Sequence, residues 1–231
     1  MNAPASSTSD ASTPNPAIAA APISARTAIY FLALIVGGLA VDLWSKNWIF
    51  GALKMPGENP PIWLWEGVFG LRTSLNEGAL FGLGQGHGLI FIALSVAAVI
   101  GIFYWVFAAG AGRDLWLTTA LGLITAGTLG NLYDRLGLHG LKWHFSNGRG
   151  HELGDAVYAV RDWLDFALIN WPIFNIADSM LVCGAAVLLL HAVLFAEPQA
   201  AGSGSTSPSS VNHGSSATLS DAEMSMSRSG T

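Results

Sequence analysis

Residues 88–135 read GLIFIALSVAAVIGIFYWVFAAGAGRDLWLTTALGLITAGTLGNLYDR. Two apolar runs, roughly 88 to 108 and 114 to 133, are joined there by only the link AGAGRD. Each run approaches the roughly 20 residues that a helix needs to cross about 30 Å of hydrocarbon. So short a link between them predicts an antiparallel helical hairpin. Two further runs of similar length, approximately 28 to 49 and 174 to 195, flank the hairpin at a distance. The fold class that follows is an all-α membrane protein, with four transmembrane helices and a small β-containing extramembrane cap.

Composition agrees. Hydrophobic residues make up 52% of the 231 positions and charged ones 11%, against about 25% charged in a soluble domain. Nine Trp and 27 Gly point the same way, because Trp gathers at membrane interfaces and Gly is commoner in spanning helices than in soluble ones. A net charge of -5 with ten Lys and Arg gives no basic surface for neutralising phosphates, so nucleic acid is excluded as a partner. The single cysteine, Cys183, has no partner for a disulfide or a thiolate metal cage and is expected to be a small core residue. Residues 1–25 lack the charged n-region and short apolar segment of a cleaved signal peptide and read as a disordered tail. Residues 198–231, biased to Ser and Gly, read as a second one. The domain between them is 26–197.

The two long links, 50–87 and 134–173, hold the Pro residues found between the tails, several Trp and many Gly, and VFGLRTSL has the pattern of a short strand. They are expected to build the cap. Successive helices run in opposite directions, so Asp42 and Lys46 at the end of the first run fall on the same side as Asn76 to Gly82 before the second. Asn131 to Arg135 at the end of the third and Asp178 at the start of the fourth join them there. Ionisable groups within spanning segments mark functional sites, and this parity predicts one site.

Asp42 and Lys46, in VDLWSK, are spaced to share a helix face and pair. The plain alternative is an interfacial pair that fixes helix depth while the lysine snorkels outward. Asn76, Gly78 and Ala79, in LNEGALFG, read as a turn with close backbone approach. Gly127 and Gly130, in AGTLGNLYDR, allow a neighbouring helix to pack tightly. Asn131, Asp134 and Arg135 follow within about a turn, and Asp134 beside Arg135 has the look of a structural ion pair. The most telling residues are Asp162, in AVRDWLDF, and Asp178, in FNIADS beside Asn175. Two carboxylates brought close cannot both ionise cheaply, so one keeps a proton and serves as acid while the other serves as base. Asp165 and Asp155 are also available, and an Asp at a helix start is often only a cap.

The blocks VDLWSK, LNEGALFG, GTLGNLYDR, VRDWLDF and FNIADS, in this order between about residues 28 and 195, resemble the signature blocks of lipoprotein signal peptidase, the signal peptidase II family. The resemblance implies an intramembrane aspartic endopeptidase of the bacterial inner membrane. Such an enzyme removes the signal peptide of a prolipoprotein just before a diacylglyceryl-modified cysteine. It implies Asp162 and Asp178 as the catalytic pair, with Asp42, Lys46, Asn76, Gly78, Asn131, Asp134, Arg135 and Asn175 supporting substrate and carboxylates. It further implies both termini in the cytoplasm and a site toward the periplasm. A plain count of Lys and Arg puts the long links in the cytoplasm instead, but several of those cations sit beside carboxylates as site residues, and the resemblance takes precedence. Two departures stand out. The link from Arg135 to Asp162 holds 26 residues where the family's is short, and the block that commonly reads Val-Val-Asp-Phe is Val160-Arg161-Asp162-Trp163. The long link is read as an insertion in the cap that modulates substrate access.

The expected chemistry is a water held between Asp162 and Asp178, activated by one carboxylate while the other protonates the leaving amine. No metal, cofactor or covalent intermediate is called for. The partners are the lipid-modified prolipoprotein and membrane lipid, and the chain is expected to act as a monomer. His139, His144, His151 and Glu152 sit in the insert without an HExxH, so surface roles fit them better than zinc. Ser45 and Lys46 are adjacent and point in different directions on a helix, which disfavours a serine nucleophile with a lysine base. The rival from another class is a small transporter or lipid-binding membrane protein whose buried charges form an ion path. Such a path needs charges reaching both sides.

Overall fold

The computed structural model describes residues 23–78, 87–146 and 151–195. The two expected tails lie outside these residues, apart from residues 23–25. So does the part of the LNEGALFG turn from Ala79 onward.

The four apolar runs form helices α1 (Ala25–Leu53), α2 (Gly88–Phe107), α3 (Leu115–Arg135) and α4 (Ile176–Leu194), each long and apolar enough to cross a membrane. Helix α1 has 29 residues, and a rise of about 1.5 Å per residue makes it roughly 43 Å long. It therefore outruns the expected span of 28 to 49. The reason lies in its last turns, where Ile49, Phe50 and Leu53 are buried in one apolar cluster with Leu71 and Trp163 of the cap. Helices α2, α3 and α4, of 20, 21 and 19 residues, match the hydrocarbon thickness. In the tight α2–α3 link Gly110 adopts φ +93°, a conformation open to glycine at little cost.

Helix α3 is the central element and packs on α1, α2 and α4. Its outer neighbours expose large apolar side chains such as Ile100, Val182 and Leu189, which suits helices bathed in lipid. The expected role of the α3 glycines holds. A Cβ on Gly127 would run into the Ala177 carbonyl, and one on Gly130 into the Asp42 carboxylate and the Ala177 side chain. Cys183 corrects an expectation, because it lies exposed on α4 rather than in the core. An apolar, exposed helix face is what a bilayer tolerates, so hydrophobic surroundings in the sequence did not imply burial within the protein.

The cap contains the antiparallel sheet β1 (Ile62–Trp65), β2 (Phe69–Asn76) and β3 (Val160–Asp165), in that order. The VFGLRTSL stretch supplies most of β2. Ser74 lies opposite Asp162, and Leu71 opposite Leu164. Leu164 and Phe174 then exchange backbone hydrogen bonds of 2.7 and 3.1 Å, which leads the chain from β3 directly into α4. The insert has a small core of its own: Trp143, Val157 and Ala159 bury against Met55 at the end of α1, and Lys142 bridges to Ala156.

Candidate active site

The site begins with the pair on α1. Lys46 does not snorkel outward; it and Asp42 are both fully buried. Its Nζ lies 2.8 Å from Asp42 Oδ2, 3.1 Å from Asp134 Oδ2 and donates to Asn131 Oδ1 at 3.1 Å. Those are three acceptors for the three donors of an ammonium group. The other Asp42 oxygen accepts from the Ala177 N–H at 2.9 Å, satisfying one of the donors that the first turn of any helix leaves unpaired.

One expectation on α3 is overturned. Asp134 does not pair with its neighbour Arg135. Its partners are Lys46 and Arg161, whose backbone N–H donates to Asp134 Oδ2 at 3.0 Å and whose Nε donates to Oδ1 at 2.9 Å. Adjacent residues on a helix diverge, so Arg135 points elsewhere. Its Nη2 donates to the Gly78 carbonyl at 3.0 Å, and its guanidinium lies 5.3 Å from the centre of the Phe91 ring. The Gly78 N–H in turn donates to Asn76 Oδ1 at 3.0 Å. The expected turn is therefore present in its described part, with Arg135 holding it.

Asp162 and Asp178 are brought to one place by two asparagines. Asn175 caps α4 and donates its Nδ2 to Asp162 Oδ1 at 2.6 Å, while its backbone N–H donates to Asp178 Oδ2 at 3.2 Å. Asn131 on α3 donates to Asp178 Oδ1 at 2.8 Å, and its own Oδ1 accepts from Asn175 at 3.1 Å. Asp178 thus completes the capping box of α4 with one oxygen and leaves the other for Asn131. Asp162 on β3 is almost fully buried. Burial, followed by the nearby Asp178 carboxylate, holds its carboxyl well above the usual carboxylate range, against the opposing pull of Lys46, Asn175 and Asn76.

The competing groups are otherwise engaged. Asp165 lies 2.8 Å from Arg72 in an ion pair. Asp155 accepts from the Glu152 N–H at 2.9 Å within a turn of the insert. Ser45 donates its hydroxyl to the Asp42 carbonyl at 2.8 Å. The insert histidines do not converge: His144 meets Glu58, His151 meets Glu77 at 3.1 Å while stacking on Trp143, and His139 Nδ1 accepts from the Leu141 N–H at 3.0 Å. Burial pushes the His139 imidazole below its ordinary range.

Two residues of the network were not foreseen, Arg161 and Asn47, which are joined by a 2.6 Å hydrogen bond from Nη1 to Oδ1. A signal for the first was present. An arginine inside a short strand flanked by apolar residues requires an acid partner once it is buried.

A sequence model of the family described as signal peptidase (SPase) II matches residues 32–194. The lipoprotein signal peptidase of Rhodopirellula baltica is 46% identical over 172 residues, covering 72% of each chain. That of Rhodococcus jostii is 33% identical over 177 residues, covering 75% of this chain and 76% of its own. A solved bacterial membrane enzyme, determined in meso at 1.9 Å, shares the fold with a TM-score of 0.56 at 24% identity, covering 73% of this chain and 94% of that one. The four helices, the sheet beside them and the matched span agree, and the chain belongs to the signal peptidase II family of membrane peptidases.

Proposed function

We propose that this protein is an aspartic-type endopeptidase that removes signal peptides from prolipoproteins carrying a diacylglyceryl-modified cysteine, with Asp162 and Asp178 as its catalytic pair. One observation carries the reading: Asn175 contacts both carboxylates, with its side chain on Asp162 and its backbone on Asp178. Three cations, Lys46, Arg135 and Arg161, accompany four carboxylates, Asp42, Asp134, Asp162 and Asp178. A single proton shared by the pair balances that set, and burial together with Asp178 holds the Asp162 carboxyl well above the usual range.

In the proposed mechanism a water between the two carboxylates gives a proton to one of them as its oxygen attacks the scissile carbonyl. The other carboxyl then protonates the departing amine, which becomes the new N-terminus at the lipid-modified cysteine. Arg135 and the turn it holds at Gly78 position the substrate backbone. The acyl chains lie in the bilayer along the exposed apolar helix faces. The site end of the bundle faces the periplasm and both termini the cytoplasm, an orientation supported by both long links emerging at one end. The named groups all come from one chain, so a monomer suffices.

The transporter reading is disfavoured, because no charged residue occurs in α2, between Arg26 and Asp42, or between Asp178 and His191. The test is cleavage of a diacylglyceryl-modified prolipoprotein by membranes holding wild type, Asp162→Asn, Asp178→Asn or Asp165→Asn, with insertion checked separately. Loss in the first two variants and retention in the third is expected. Cleavage by all three would remove the peptidase site assignment.

A further inference from the structure

Arg161 stands where the family block commonly has a valine, and it is among the largest fully buried side chains among the described residues. Its backbone N–H and Nε both donate to Asp134, at 3.0 and 2.9 Å, and its Nη2 lies 2.8 Å from Oδ1 of the same carboxylate. Its Nη1 donates to Asn47 at 2.6 Å, and its guanidinium lies 6.0 Å from the centre of the Phe50 ring. Successive strand residues face opposite sides, so this grip leaves Asp162 turned toward Asn175. The Arg161 carbonyl completes the link, accepting from Asn175 Nδ2 at 3.4 Å.

We infer that Arg161 is a positioning residue for the catalytic pair, clamping the strand that carries Asp162 to α3 through Asp134 and balancing the Asp134 charge beside the pair. This inference rests on the aspartic reading above. It also joins the two departures of this sequence from its family. A short link between Arg135 and the aspartate strand restricts the strand by itself, whereas a 26-residue link leaves more chain entropy to overcome. An arginine that grips Asp134 through its backbone N–H and its Nε, and Asn47 through its Nη1, restores the anchor that the longer link loosens.

The charge side follows from the neighbours. The charged groups around Arg161 are Asp42 and Lys46 from α1, Asp134 and Arg135 from α3, Asp162 on its own strand and Asp178 on α4, with His139 beyond α3. Without Arg161, the single ammonium of Lys46 is left to balance both the Asp42 and the Asp134 carboxylates. The pair then sits in a more negative surround, which favours its protonated forms. The acidic limb of the pH–activity profile must therefore move upward.

The test is the pH dependence of prolipoprotein cleavage by the full-length enzyme, as wild type, Arg161→Met, Arg161→Lys and Asp162→Asn. For Arg161→Met, kcat is expected to fall about 100-fold with KM little changed, as for about an ångström of misplacement. Its acidic limb should rise by about one pH unit, the effect of one charge at about 10 Å. Arg161→Lys restores the charge but not the simultaneous reach to Asp134 and Asn47, so its limb should return to the wild-type position while kcat stays about tenfold low. A limb unmoved in Arg161→Met overturns the inference, leaving Arg161 a packing residue. If that variant does not accumulate, Arg161→Lys decides alone, and either a wild-type kcat or a displaced limb overturns it. Cleavage by Asp162→Asn would instead overturn the aspartic reading itself.

Discussion

The two ends of the helix bundle each carry ionisable side chains, and they are built on opposite principles. At one end Asp42, Lys46, Asn131, Asp134, Arg161, Asn175 and the two site aspartates form a continuous network in which every member has partners on other elements. At the other, Asp114 caps α3 and meets His191 of α4 at 2.8 Å, with 37% of its side chain exposed. The first arrangement buries more carboxylates than cations, and burial with the nearby Asp178 carboxylate pushes the Asp162 carboxyl up. The second satisfies two helix ends and stops there. Charge inside a membrane protein therefore signals chemistry when it is shared, buried and unbalanced, and signals architecture when it is local and paired.

Substitutions rank this contrast. Asp162→Asn and Asp178→Asn stand at the top, each expected to lower cleavage by at least about 10³-fold, since the proposed reaction loses its acid or its base. Asp162→Asn should at the same time stabilise the fold. The buried carboxyl has a raised folded pKa, so the wild type is penalised once pH exceeds the unfolded value of about 3.9, and the penalty vanishes below it. Thermal unfolding in detergent should show the gain at pH 7 and lose it near pH 3. Next comes Asp134→Asn, which leaves Lys46 and Arg161 short of an acceptor in full burial. A loss of about 3–5 kcal/mol is expected, read as less enzyme in the membrane and a lower thermal midpoint.

Deleting residues 138–155 should raise KM about tenfold, equivalent to about 1.4 kcal/mol, if the insert governs substrate access. Unchanged cleavage would end that idea. The deletion removes the buried Trp143 as well, so folded enzyme must be quantified beside it. Asp165→Asn should leave cleavage within about threefold and cost about 1 kcal/mol or less, because its partner Arg72 is 46% exposed.

Much of this was legible beforehand for identifiable reasons. The spans follow from run length against bilayer thickness, and the common side of Asp42, Asn131 and Asp178 follows from helix parity. The β2 strand follows from the alternation in VFGLRTSL. What resisted reading was partner choice. Asp134 and Arg135 are neighbours in sequence, yet the helix turns them apart and delivers Asp134 to an arginine 27 positions away in sequence. Lys46 was readable as a snorkelling residue because its inward rotation depends on acceptors from α3. The length of α1 was hidden because its last turns are held by the cap rather than by lipid. In each case the deciding contact spans elements far apart in the chain, where local spacing carries no information.

The smallest expected effect is also the sharpest probe of the comparison. Asp114 Oδ1 accepts from the Trp116 and Leu117 N–H groups at 2.7 and 3.1 Å, so Asp114→Ala should cost about 1 kcal/mol of helix capping. The exposed pair with His191 adds less. Burial raises the Asp114 carboxyl, but the Leu117 N–H, His191 and the Trp116 N–H together outweigh it and hold the group below its ordinary range. Its contribution is therefore complete above the unfolded value of about 3.9 and fades as pH falls through the depressed folded one. The wild type should thus lose its advantage over Asp114→Ala in strong acid, while cleavage and its pH profile stay those of wild type. A shifted profile in this variant would mean that the two ends communicate across the apolar middle of the bundle, which is the property an ion path needs and a one-sided peptidase site does not.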